Sequence, residues 1–318
     1  MEQEQTKKKW RWGVNRWIVL LLIISSVFAA KLYKPVLPHI QLPAEVVGHI
    51  GGFGVTNTMI AMIITDIFIL LMAFLVRGAT KTGSLIPTGF SGALEAFLEA
   101  LYGLTESTAG KWTKQIFPWF ASITLFVLIA NWMELIPGTD SIGLIEHAHG
   151  EGHAIQNIAG FAATLLPEKG DYALTSFVRV LSTDLNFTVG LALISMFMVQ
   201  VMGLKALGIG YLSKFFYVKT IFSKPIFGVI DFAVGILEIV SEFSKILSFS
   251  FRLFGNIFAG SVLLFVIGTL IPVFAQSIFL MLEFFIGLIQ ALIFGLLTMV
   301  FMSQAVHGHG DTEEEHKN

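Results

Sequence analysis

Five polar residues, Glu238, Glu242, Lys245, Arg252 and Asn256, recur along an otherwise apolar stretch towards the end of the sequence. At about 100° per residue of helix they fall within roughly 40° either side of one line. A second apolar stretch carries Gln276, Glu283 and Gln290 at a spacing of seven residues, which keeps them on one helix face. Polar stripes on neighbouring apolar helices imply a path that water or ions can enter. Arg252 has the plainest chemistry: Phe249, Phe251, Leu253 and Phe254 flank it. An arginine at mid-membrane costs at least roughly 2.5–3.5 kcal/mol. Its guanidinium stays protonated at any relevant pH, so it is a fixed positive charge and no proton relay. Such a charge draws in a passing carboxylate and favours its ionised form. An acid brought beside it sheds a proton, and one carried away into lipid takes a proton up. Lys245 stands at i, i+3 from Glu242 and i, i+7 from Glu238. For those three residues a structural ion pair or a snorkelling side chain fits as well as a functional role. For Arg252 the functional reading fits better.

The elements that hold these residues are membrane helices. The chain has 318 residues, 55% hydrophobic and only 13% charged, with mean hydropathy +0.77. Soluble domains carry about 25% charged residues, and several apolar runs here approach the roughly 20 residues that cross a bilayer. A net charge of −2 supplies no basic field for nucleic acid. The absence of cysteine excludes disulfides, thiolate catalysis and Cys-based metal sites. Phe 30 and Gly 30 suit helices packed in lipid.

Basic and aromatic residues, Lys7 to Trp12 and then Arg16-Trp17, precede an apolar run from Ile18 to Ala30. That run reads as an anchor extended by Leu32 and Tyr33, or as a signal peptide cleaved near Val27-Phe28-Ala29. Pro35, Pro38 and Pro43 mark an external loop. Thr56 to Val76 reads as a span returning inward, followed by Arg77 and Lys81 as the positive-inside rule expects. Phe90 to Tyr102, with Glu95 and Glu99 one turn apart, predicts an amphipathic helix on the membrane surface. Phe117 to Ile136 spans outward and ends at Pro137; residues 138–182 form a long polar external loop. Leu185 to Leu204 spans inward, and Lys205, Lys214, Lys219 and Lys224 mark a cytoplasmic loop. Ile226 to Leu270 is one proline-free apolar run, roughly 65 Å long as a helix, against a bilayer core of about 30 Å. It must tilt steeply, bend, or break near Gly255. Pro272 turns the chain and Val273 to Ala305 returns. The expected fold is all-α and polytopic, with five spans, or six if the first segment stays, ending in a hairpin of two long, strongly tilted helices. The expected parts are a signal or anchor segment with its external loop (1–55), a membrane domain (56–305, with the functional hairpin at 226–305) and a polar tail (306–318).

At this point the sequence resembles the a subunit of F-type ATP synthases. The resemblance rests on Ser250-Phe251-Arg252-Leu253-Phe254-Gly255-Asn256-Ile257-Phe258-Ala259-Gly260, similar to that family's arginine signature. Three shorter matches accompany it: Leu288 to Phe294 with Leu297-Thr298-Met299-Val300, Asn131-Trp132-Met133-Glu134-Leu135-Ile136-Pro137, and Ser182 to Thr188. The resemblance covers about Thr56 to Ala305. It implies that Arg252 faces a carboxylate of the c-ring and blocks a short circuit between two half-channels. Asn256, Gln290, Glu283, Glu134 and Asp184 would line or shape the half-channel open to the outside; Glu238, Lys245 and Ser248 would lie towards the cytoplasmic one. The implied partners are the c-ring, the b subunits of the peripheral stalk, the lipid bilayer and protons, with no nucleic acid. The implied place is a bacterial inner membrane, with the C-terminus cytoplasmic. No cofactor, metal or catalytic residue is expected, and no Gly-x-x-x-x-Gly-Lys-Ser/Thr loop is present, so the chain should not bind or hydrolyse ATP itself. The ion-binding carboxylate would sit on the c subunit, which leaves proton and sodium ion both open.

Two departures stand out. Some members carry a glutamate after the Ala-Gly of the signature, where this chain has Ser261, and pair it with a histidine seven residues before the glutamine, where this chain has Glu283. The polar group has moved to the neighbouring helix. The segment before Thr56 is the second departure. Glu242 inherits no role from the resemblance. His147, His149 and His153 with Glu146 and Glu151 are metal-ligand types, but their spacing matches no known site and a solvated loop is the expectation; the same holds for His307 and His309. Asp66, mid-span, is either functional or hydrogen-bonded to a neighbouring helix. The competing function is a transporter or channel subunit whose arginine binds an anionic substrate, against which stands the absence of an internal repeat. A purely structural scaffold would gain nothing from the stripe.

Overall fold

A computed structural model describes residues 12–32, 43–81, 89–136, 138–159, 162–215, 225–271 and 274–307. Pro35, Pro38, Pro137, Lys219, Lys224, Pro272 and the tail beyond His307 lie outside the described residues. The helices are α1 (Trp12–Leu32), α2 (Asn57–Lys81), α3 (Phe90–Ala109), α4 (Thr113–Trp132), α5 (Leu185–Leu207), α6 (Pro225–Leu270) and α7 (Phe274–Val306). Among the described residues, five stretches are long and apolar enough to cross a membrane: Asn57–Gly78, Phe90–Leu135, Leu185–Leu212, Phe232–Leu270 and Ala275–Val306. The apolar part of α1, Arg16–Phe28, is shorter. The chain is therefore an all-α polytopic membrane protein, as its composition requires.

Contacts divide it into two units. One holds Met1–Ile40, Ile145–Thr175 and Gly260–Glu283; the other holds Gln41–Leu144, Ser176–Ala259 and Phe284–Asn318. The second unit is built on α4, whose Ile116, Phe120 and Val127 are fully buried with Met196 and Val199 of α5, Leu253 of α6 and Met302 of α7. Buried residues of α3, Leu101, Thr105 and Ala109, recur every four positions and turn one stripe inward. Tyr102 meets Phe117 of α4 edge-on at 5.1 Å. The surface helix predicted over Phe90–Tyr102 therefore extends to Ala109 and packs on α4, after a turn at Gly110 with φ 50°. Asp184 caps α5, accepting from the Asn186 amide at 2.9 Å.

Two short strands, β1 (Val46–Ile50) and β2 (Phe53–Thr56), pair antiparallel around Gly51 and Gly52, whose positive φ values of 57° and 86° suit a two-residue hairpin turn. The polar loop predicted over 138–182 differs from what forms. Strands β3 (Gly143–Ala159) and β4 (Ala162–Ser176) make a two-stranded ribbon. Backbone groups over such a length need partners, and the two strands supply them to each other. At Gly152 and Gly170 a Cβ would collide with facing backbone of the other strand.

Candidate functional site

α6 runs unbroken through Gly255, where an added Cβ would meet nothing within 4 Å. Of the expectations for this segment, a break near Gly255 is the one the helix rules out. Its buried line is Phe249, Leu253 and Ile257, at 3%, 1% and 1% exposure. The Phe249 ring lies 5.1 Å from Phe294 and 5.6 Å from Phe301 of α7. Ser248, Arg252 and Asn256 are exposed on another face. Arg252 Nη2 donates to Ser248 Oγ at 3.3 Å, one turn back, and among the described residues it forms no ion pair with a carboxylate of its own chain. A neighbouring hydroxyl thus steadies the guanidinium without neutralising it.

Lys245 is arranged differently. Its ammonium donates to Glu242 Oε1 at 3.2 Å and stands 4.9 Å over the Phe301 ring. Glu242 is turned about 60° further round the helix than Lys245, towards the packed side. The pair therefore draws this second cation off the line of Arg252. Glu238, one turn earlier, is half-buried.

On α7, Glu283 and Gln290 are buried at 5% and 9% exposure. The carboxyl group of Glu283 rests against Gly260 so closely that a Cβ there would overlap it. Its Oε1 is buried and makes no hydrogen bond. Between these two residues the helix is clamped to α4. Asn131 Nδ2 donates to the Gly287 carbonyl at 3.2 Å, Trp132 Nε1 donates to the Phe284 carbonyl at 3.2 Å, and the Trp132 and Phe284 rings stack at 4.6 Å. Ser182 donates to Asn131 Oδ1 at 2.6 Å, holding the amide in place.

At the α5 entrance Asp184 accepts from Thr58 at 3.1 Å. Beside it Arg179 donates to Thr183 Oγ1 and to the Pro43 carbonyl, both at 3.1 Å. Burial lowers the Arg179 pKa from its usual value, opposed by Glu45, Asp140 and Asp184. Burial likewise pushes the Asp140 carboxyl up to about 6, with Arg179 pulling it down. Glu134, at the end of α4, is buried at 9% exposure. Of the ten predicted and neighbouring site residues, the structure joins Arg252 with Ser248 and Lys245 with Glu242 by direct contact. It gives no such contact among Arg252, Asn256 and Gln290. Among the described residues no group of three or more His, Cys, Asp or Glu could hold a metal ion.

The profile of one protein family, described as ATP synthase A chain, matches residues 59–303 and so takes in Arg252, the clamp and both stripes. The chain belongs to the ATP synthase A chain family. It is accordingly a multi-pass membrane protein of the ATP synthase complex. Similar proteins include ATP synthase subunit a of Moorella thermoacetica, 28% identical over 268 residues, covering 84% of this chain and 98% of that one. ATP synthase subunit a, sodium ion specific, of Propionigenium modestum is 29% identical over 274 residues, 85% of this chain and 79% of that one. ATP synthase subunit a of Mycobacterium ulcerans is 27% identical over 266 residues, 82% and 89% of the two.

For this A-chain member the sequence left three features unseen. Gly260 was only the end of a motif, yet it makes the space for Glu283. Asn131 and Ser182 stand in family-like motifs that assign them no role, although polar residues at the ends of two spans are a usable signal. The cluster of Arg179, Asp140 and Glu45 had one sign in the sequence: a single arginine in the polar stretch between two spans.

Proposed function

We propose that this chain is the static a subunit of the membrane sector of an F-type ATP synthase. It forms two offset aqueous half-channels, carries protons to and from the carboxylates of a c-ring, and so couples the proton gradient to rotary ATP synthesis. The observation that carries the reading is Arg252: exposed, flanked by aromatic residues, and uncompensated by any carboxylate of its own chain among the described residues. A charge in that setting needs a partner from outside, and an acid moving past it would lose its proton there and regain it elsewhere. Asn256, Glu283, Gln290, Glu134 and Asp184 serve the outer half-channel, and Glu238, Lys245 and Ser248 the inner one. The c-ring and the b subunits of the peripheral stalk are its partners, in a bacterial inner membrane with the C-terminus in the cytoplasm. The chain has no catalytic activity alone. Arg252→Ala should abolish ATP-driven proton pumping in membrane vesicles while the complex still assembles; normal pumping by that variant defeats the proposal.

A further inference from the structure

Asp66 is a carboxylate in the middle of an apolar span, and its own fold does not use it. α2 packs inward through Asn57, Thr58, Ala61 and Thr65, all at 0–4% exposure. Asp66 lies roughly 120° around the helix from that line and is exposed. Among the described residues it has no hydrogen bond and no ion pair. The apolar span runs from Asn57 to Gly78, which sets Asp66 more than about 12 Å from either end at 1.5 Å per residue. A lysine could reach water from that depth along its long stem; an aspartate has one methylene and cannot. Its surroundings are Met62, Ile63, Ile67 and Leu70, at 45%, 57%, 59% and 58% exposure.

Lipid is a poor cover for this face. A carboxylate facing hydrocarbon keeps its full desolvation cost, whereas one facing another helix can be paired. Ala73, one heptad on and also exposed, leaves room beside Asp66 for a second helix to approach. Methionine on the same face adapts to an irregular partner surface.

We propose that the outward face of α2 around Asp66 is the seat of a membrane-crossing helix from another subunit, and that this helix presents a lysine or arginine at mid-height to the Asp66 carboxylate. Charge complementarity selects the occupant: a carboxyl group inside the membrane is best met by a cation, and α2 itself offers none within reach, since Arg77 stands eleven residues away. The interface is independent of the arginine chemistry on α6, so loss of pumping through Arg252 and loss of this contact are separate outcomes.

The chain contains no cysteine, so Leu70→Cys introduces a unique thiol one turn from Asp66 without touching the acid. In the purified complex, a maleimide carrying a photoreactive group on that thiol should capture a membrane helix of a different subunit, within one turn of a lysine or arginine. Asp66→Leu should reduce recovery of that subunit with the complex at least tenfold, while Asp66→Glu retains it. Capture of no helix, of a helix without a mid-height basic residue, or of residues 12–32 of the same chain overturns the proposal. So does an Asp66→Leu complex that keeps its full set of subunits and melts at the same temperature, which is the behaviour of a face turned to lipid.

Discussion

Replacing Gly260 by alanine tests whether the Glu283 carboxyl has to sit where it does. The three atoms nearest to a Cβ at this position all belong to that carboxyl group, and its carbon would stand 2.5 Å away against 3.4 Å for ordinary contact. One carboxylate oxygen would stand closer still, so the carboxyl must retreat by at least about 1 Å. Glu283 is 5% exposed, so it moves within a packed site and not into solvent. Overpacking of this kind costs about 1–3 kcal/mol. The lower figure applies because the obstacle is the end of a flexible side chain, and alanine returns about 1 kcal/mol by stiffening the helix. Assembly should then survive, and function should carry the effect. A misplacement of about 1 Å in a transfer site lowers rates by up to roughly a hundredfold; we expect at least a tenfold loss of ATP-driven pumping in vesicles. Shortening the acid withdraws it by roughly 1.5 Å, one carbon–carbon bond. In a Glu283→Asp background, Gly260→Ala should therefore cost little. Wild-type pumping by Gly260→Ala, or an equal loss in both backgrounds, refutes the reasoning.

Other expectations follow from the same geometry. Glu283→Gln keeps the shape and removes the carboxyl that can gain and lose a proton, so proton uptake should slow while the complex stays intact; an unchanged rate at every pH counts against Glu283 as an entry group. Asn131→Ala removes a side chain at 2% exposure that bonds Ser182 and Gly287, and leaving a buried hydroxyl stranded should lower stability by about 2–3 kcal/mol; a melting temperature equal to wild type would contradict it. Glu242→Gln releases the Lys245 ammonium from its 3.2 Å pairing, so a structure of the assembled variant should show it leaving the Phe301 ring; an unmoved lysine would mean that the ring alone holds it. Asp140 is raised from 3.8 to about 6 by burial, so the fold binds its proton more tightly than the unfolded chain does. Its contribution is complete below about pH 4 and is lost as pH rises through about 6, at most roughly 3 kcal/mol before screening at a half-exposed site. Asp140→Asn should flatten that part of the stability profile, and parallel profiles for variant and wild type would show that the acid is not responsible.

The membrane class, the spans and the polar stripe were legible in the sequence because each is a local property. Apolar runs of bilayer length identify themselves, and a helical period places Glu238, Lys245, Arg252 and Asn256 on one line whatever surrounds them. Arg252 could be singled out because a cation that never deprotonates is costly in hydrocarbon wherever it sits. Tertiary structure decided which partner each polar group has. Asn131 meets Gly287 across 156 positions and Thr58 meets Asp184 across 126, separations at which no periodic pattern survives. Only packing revealed that Gly260 is a hole for Glu283 and that Lys245 is drawn towards Phe301 while Arg252 is left uncompensated. The sequence fixes where charges lie along each helix axis, but the azimuth and neighbours of a side chain depend on how separate helices settle together, and that is a property of the whole fold.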